Sequence, residues 1–106
     1  MNQTEILLPN GRNWDLVPIS TIQYIEADRK LCRVVTATRE YRISRSLQSI
    51  ETHLPKLQFL RIHKSYIVSV SYVNSIGKAE LYIAGRALPV SRVVLPELYK
   101  RFPKFG

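Results

Sequence analysis

Through most of this chain apolar residues recur at every second position, in short runs bounded by turn formers. That spacing suits strands with one buried face and does not suit helices. Residues 5–8 read as a short strand running into Pro9-Asn10-Gly11, where Asn-Gly supplies the positive φ angles of a tight hairpin turn. Residues 21–26 follow, with Ile22 and Tyr24 on one face and Ile25 near the other. A charged corner, Asp28-Arg29-Lys30, leads into residues 31–36, rich in β-branched side chains, and residues 40–43 return beside them. The pattern resumes at residues 59–63, 66–70, 72–76, 80–84 and 87–90, with Gly77 and Gly85-Arg86 at turns.

The period changes twice. Leu47, Ile50 and Leu54 stand at i, i+3 and i+7, one stripe of a short helix that Ser44 or Ser46 can cap and Pro55 ends. At about two turns it is too short to be stable alone and must dock on a sheet. Residues 91–102 suit a second short helix with Pro96 in its first turn, where the missing N–H costs nothing. The pattern therefore predicts a single domain over residues 1–106, mainly β with two short helices, ending in a loose tail at 102–106.

Charge narrows the partners. Sixteen Lys and Arg against eight Asp and Glu give a formal charge of +8. Such an excess concentrates polyanions, nucleic acid first and an anionic membrane surface second, although it also suits simple solubility. Cys32 is the single cysteine, which excludes an intrachain disulfide and a cysteine-cluster metal site and fits a reducing cytoplasm. The N-terminus lacks the basic and long apolar regions of a signal peptide, and no apolar run approaches the roughly 20 residues of a membrane helix, so a cytoplasmic protein is expected. The four glycines (Gly11, Gly77, Gly85, Gly106) stand apart and form no phosphate loop, and the two histidines and one cysteine have no metal-box spacing. No catalytic residue, metal or cofactor is expected.

The segment Phe59-Leu60-Arg61-Ile62-His63-Lys64-Ser65-Tyr66-Ile67-Val68 carries most information. Alternation sets Leu60 and Ile62 on one face and Arg61 and His63 on the other, and the apolar residues 66–68 make the next strand buried. Between two packed strands, the cationic corner His63-Lys64-Ser65 suits contact with a phosphate or a base edge, as well as an ordinary solvated turn.

Four blocks taken together, Ile22-Gln23-Tyr24-Ile25-Glu26-Ala27, Ser46-Leu47, residues 59–68 and Leu88-Pro89-Val90-Ser91-Arg92, resemble the LytTR domain in order and approximate spacing, over about residues 19–101. The resemblance implies elongated antiparallel β-sheets that bind duplex DNA through loops and strand ends, with no recognition helix. Three places match the family's contact regions: the corner after Glu26 with Asp28, Arg29, Lys30, Cys32 and Arg33; the corner His63, Lys64 and Ser65; and Arg92. On this reading Arg92 and Lys30 or Arg29 donate to guanine in the major groove. Lys64 and Ser65 meet phosphate or the minor groove, and Arg61 braces the corner or pairs with a phosphate. For Arg33, Arg42 and Arg45, contact and solvated face stand even.

Three departures bear on the transfer. Lys64 stands where the family often has Arg, which keeps charge but loses the planar fork. Ser69 replaces a usual Asn, and Arg-Lys-Leu-Cys replaces a common Gly-Asn-Tyr pattern in a base-contact region, so sequence preference transfers least. Cys32 reads either as a small buried hydrophobe or as a redox-sensitive thiol activated by Arg29, Lys30 and Arg33.

The expected function is a sequence-specific transcription regulator that binds promoter repeats, pairs with itself on DNA, and answers to a separate receiver or partner protein, since these residues include no receiver. The alternative is a small basic β-module for RNA or single strands, with some of the six tyrosines stacking on bases. Tyr24, Tyr66, Tyr72 and Tyr82 stand beside buried aliphatics, which reads as core. A protein–protein adaptor would show neutralised corners, whereas these are cationic.

Overall fold

The computed structural model describes residues 4–106. Its strands are β1 (Glu5–Asn10), β2 (Asn13–Pro18), β3 (Ile22–Asp28), β4 (Leu31–Thr36), β5 (Glu40–Ile43), β6 (Phe59–His63), β7 (Tyr66–Ser69), β8 (Val73–Ile76), β9 (Glu80–Ile83) and β10 (Arg86–Pro89). Helix α1 (Leu47–Glu51) lies between β5 and β6, and α2 (Leu95–Tyr99) follows β10. All pairing is antiparallel, in three sheets: the hairpin β1-β2, a central sheet in the order β5-β4-β3-β7-β6, and a sheet β10-β9-β8. The molecule measures 50 × 32 × 24 Å, which is elongated as well as mainly β.

The central sheet is covered on both faces, and its sequence shows why. Successive side chains point to opposite sides of a strand, so neighbouring apolar residues feed two cores. Ile25, Cys32, Val34, Phe59 and Ile67 face one core, closed by Leu8 and Val17 of the hairpin and by Leu47, Ile50 and Leu54 in and after α1. Tyr24, Val35, Ile62 and Val68 face the other, closed by Leu81, Ile83 and Leu88 of the small sheet and by Val90 and Leu98. Ile25, Ile67 and Val68 are fully buried.

The helices form where the period changed. Ser46 is the N-cap of α1, its hydroxyl accepting from the Ser49 N–H at 3.1 Å, and Pro96 sits in the first turn of α2. The helix stripe Leu47, Ile50 and Leu54 is buried as its spacing requires.

Three local expectations are corrected. Ile22 shares its core with Ile25 rather than with Tyr24, because an irregularity in the β3–β4 register between Ile22 and Tyr24 inserts a residue and reverses the alternation. The first turn is Gly11-Arg12 between paired Asn10 and Asn13, and only Gly11 has positive φ (62°), the signature of the II′ type. The last hairpin turns at Ala84-Gly85, both with positive φ as a I′ turn requires, so Arg86 already belongs to β10.

Strand β2 escapes the sequence reading because, of its apolar side chains Trp14, Leu16 and Val17, only Val17 turns to the core. Trp14 and Leu16 alternate correctly, yet they lie 66% and 61% exposed. Opposite them stand Pro9 and the exposed Leu7, so the hairpin's outer face is apolar and open.

The hairpin is fastened by one carboxylate. Asp15 Oδ2 accepts from the Tyr41 hydroxyl (2.9 Å), from Asn10 Nδ2 (3.1 Å) and from the Arg39 guanidinium (3.2 Å), joining β2 to β5 and to the turn before it. The Tyr41 hydrogen bond, more than the other contacts, holds the Asp15 carboxyl below the usual aspartate range, and burial followed by the same bond pushes Tyr41 up. A carboxylate depressed in the fold stabilises it above the unfolded value near pH 4, and that contribution fades as pH falls through the lower folded value. Denaturant titrations at neutral pH and at about pH 3 should therefore show a smaller acid-induced loss of stability in Asp15→Asn than in the parent. Equal losses in the two proteins would show that the clamp does not titrate.

Candidate nucleic-acid interface

Antiparallel pairing gathers distant segments at one end of the central sheet. The β3–β4 turn, Arg29-Lys30, lies between paired Asp28 and Leu31, and the β6–β7 turn, Lys64-Ser65, between paired His63 and Tyr66. Strands β3 and β7 are themselves neighbours, with Glu26 opposite Tyr66 and the Ala27 N–H donating to the Ser65 carbonyl at 2.8 Å. Both turns therefore project from the same end, two strand spacings or about 10 Å apart. Past β6 the Ser91 N–H donates to the Ile62 carbonyl at 2.7 Å, which sets Arg92 at that end as well.

The cations gathered there are free to bind. Arg29, Lys30, Lys64 and Arg92 are exposed, and among the described residues none has a carboxylate within 4.0 Å. Arg29 has a left-handed backbone, φ 60°, a conformation that costs a side-chain-bearing residue about 1–2 kcal/mol.

The remaining residues singled out in the sequence build a frame beneath those cations. Arg33 lies across from Glu26 in the β3–β4 register and donates to it, and donates also to Glu40 at 3.1 and 3.2 Å. Arg61 donates to the carbonyls of Lys64 (2.7 Å) and His63 (3.3 Å) and lies 3.7 Å from a Glu51 carboxylate oxygen. His63 Nδ1 accepts from the Ser65 N–H at 3.1 Å, so a neutral ring carries its proton on Nε2 and offers a donor there. Lys64 and Ser65 are thus held at both ends of their turn.

One pair of alternatives is decided and one expectation fails. Cys32 is 1% exposed, and burial pushes its thiol up while the more distant Arg61 only partly opposes this. The buried-hydrophobe reading holds and the activated thiol does not, because the thiol is buried, Arg29 and Lys30 are exposed in the turn, and Arg33 is spent on carboxylates. Among the tyrosines read as core, Tyr24 is 2% exposed but Tyr82 is 43% exposed, on the outer side of the small sheet.

Arg45, for which contact and solvated face stand even by sequence, comes to the same sheet end: Ile43 pairs with Cys32, so β5 delivers exposed Arg45 there. Counting outward from the Arg29-Lys30 turn through β4 and back along β5 is the signal that would have found it. The same counting sets Glu26 across from Arg33.

Known proteins share this fold. The family model of the LytTr DNA-binding domain matches residues 12–102. The chain is 33% identical over 95 residues to the CO-responsive transcriptional regulator RcoM of Rhodospirillum rubrum, covering 83% of this chain and 40% of that protein. It is 30% identical over 104 residues to the sensory transduction protein LytT of Bacillus subtilis, covering 92% and 43%. The chain thus spans about two-fifths of the length of the curated relatives it matches. The solved LytTr DNA-binding domain of a Bacillus cereus response regulator superposes with a TM-score of 0.82 at 29% identity, over 94% of this chain and 97% of that one.

The left-handed Arg29 gives a direct test of the local geometry. Arg29→Gly should raise unfolding stability by about 1 kcal/mol, measured by denaturant titration, because glycine adopts that φ without a Cβ penalty. A destabilised variant would mean that the Arg29 side chain contributes more to the fold than its backbone strain takes away.

Proposed function

Since the chain belongs to the LytTR family of DNA-binding domains, we propose that it is the sequence-reading unit of a transcription regulator and meets duplex DNA with one end of its central sheet. The observation that carries this reading is the convergence, from three separate stretches of sequence, of unpaired Arg29, Lys30, Lys64 and Arg92 on that end. A turn-to-turn separation of about 10 Å compares with a major groove about 12 Å wide, so neighbouring turns reach base edges and the flanking phosphates together.

Roles follow from donor geometry. Arg92 and Arg29 have the planar fork that grips guanine O6 and N7, and Lys30 and Lys64 supply point charges for phosphates. Ser65 and His63 Nε2–H add single donors at the centre. Arg33 and Arg61, whose guanidinium groups are already engaged, set the shape of the surface instead of touching DNA. The strain at Arg29 fits a side chain retained for contact.

Residues 1–106 act here as one DNA-binding unit in the cytoplasm, on promoter repeats where two copies sit side by side. Control comes from a receiver or another partner protein, as the greater length of the relatives and their names suggest. No helix among the described residues is long and apolar enough to cross a membrane. A single-strand module would need exposed aromatics along the cationic end. Tyr24 is buried and Tyr66 bonds to Glu26, so the tyrosines form no such platform.

Selection from a randomised duplex library, with the winners titrated against salt, tests the reading. A motif should emerge, and Arg92→Ala should weaken it by about 1–3 kcal/mol. Lys64→Ala should weaken all duplexes alike and lower the salt slope by about one. Equal binding of single strands or RNA, with no enriched motif, would overturn it.

A further inference from the structure

Beneath the two cationic turns a chain of polar contacts crosses four strands of the central sheet, β5, β4, β3 and β7. Glu26, on the middle strand, accepts from Arg33 of β4 on one side and from the Tyr66 hydroxyl of β7 at 2.6 Å on the other. Arg33 continues to Glu40 of β5, and its Nε is buried without a partner among the described residues. The Tyr66 ring lies 6.0 Å from that of His63, whose Nδ1 holds the Ser65 N–H, and Arg61 ties the same turn to α1 through Glu51.

We infer that Glu26 is a positioning residue for DNA recognition: it locks the Arg29-Lys30 and Lys64-Ser65 turns into one fixed spacing through Arg33 and Tyr66. The inference rests on the function proposed above. Each of its partners is close to a turn: Tyr66 is the first residue after one, and Arg33 lies two residues into the strand after the other. Backbone pairing already aligns these strands, but turns fray beyond the last paired residue, and reading two base steps at once demands side chains held to a fraction of an ångström. A carboxylate between an arginine and a phenol also fixes both side chains through charge-assisted bonds. Charge supports the assignment. Glu26 and Glu40 neutralise Arg33, which leaves the affinity for phosphate to the exposed cations and gives the frame little share in it.

The consequence is a separation between specificity and affinity. Tyr66→Phe deletes one hydroxyl from the frame and leaves the cores unchanged. Glu26→Gln keeps one acceptor oxygen, replaces the other with an NH2 donor and removes the charge. Binding of the parent and both variants is measured on the selected duplex and on a scrambled duplex of equal length, across a salt series, alongside thermal melting. The expected result for Tyr66→Phe is a drop of about tenfold in the ratio of the two affinities, the equivalent of one weakened base contact. Binding to the scrambled duplex and the salt slope should stay as in the parent. Glu26→Gln should lower the ratio less, because its amide oxygen still accepts from Arg33 while its NH2 donates to the Tyr66 hydroxyl oxygen. A residue of purely structural importance would lower both affinities in proportion to unfolding, and that outcome, or an unchanged ratio in a folded Tyr66→Phe, overturns the inference. If instead the parent shows no preference for its selected duplex, the DNA-reading function itself fails and the inference with it. That result is seen before any variant is compared.

Discussion

The rest of the structure depends on one constraint: the central sheet is buried on both faces. A strand sandwiched in this way has little open face for a partner, because along most of its length each apolar side chain is needed by one core or the other. Ile25 and Tyr24, or Ile67 and Val68, are consecutive residues that serve opposite cores. What the sheet can offer to a partner is its ends, where the chain reverses and polar side chains meet water. Antiparallel order then does the arranging. Two turns and the segment after β10 emerge side by side although they are far apart along the chain.

Much of this could be read from the residues. The alternation in 59–68 and the apolar run at Tyr66-Ile67-Val68 placed a cationic corner between buried strands, and that is where Lys64 lies. The stripe Leu47, Ile50 and Leu54 located α1, and Ser46 capped it. The misses share a cause, since alternation states which residues share a face but not which face is covered. Trp14 and Leu16 alternate as well as any core pair, yet they lie 66% and 61% exposed. Ile22 was assigned to the wrong side because a single irregular pairing reverses the phase, and no residue type announces it.

The cations show a second limit. Sequence counts them and cannot say which are engaged. By sequence Arg33 reads evenly as contact or solvated face, and Arg61 as a brace or a phosphate partner; each is fastened to carboxylates or to turn carbonyls. The formal charge of +8 therefore overstates what any one partner meets. The surface divides into exposed cations without a carboxylate partner among the described residues and cations fastened to their neighbours, and only three-dimensional register separates the two.

The open apolar face of the β1-β2 hairpin bears on how such a domain behaves outside the cell. Leu7, Trp14 and Leu16 lie at least 59% exposed while the sheet end carries unpaired cations, so added salt acts on the two surfaces in opposite senses. It screens the cations and strips nucleic acid away, and, when the anion is strongly hydrated, it raises the cost of leaving Trp14 in water. Sulfate thus frees the protein from nucleic acid while promoting its self-association, whereas chloride achieves the first with far less of the second. The choice of anion, more than ionic strength, sets whether the nucleic-acid-free domain stays in solution.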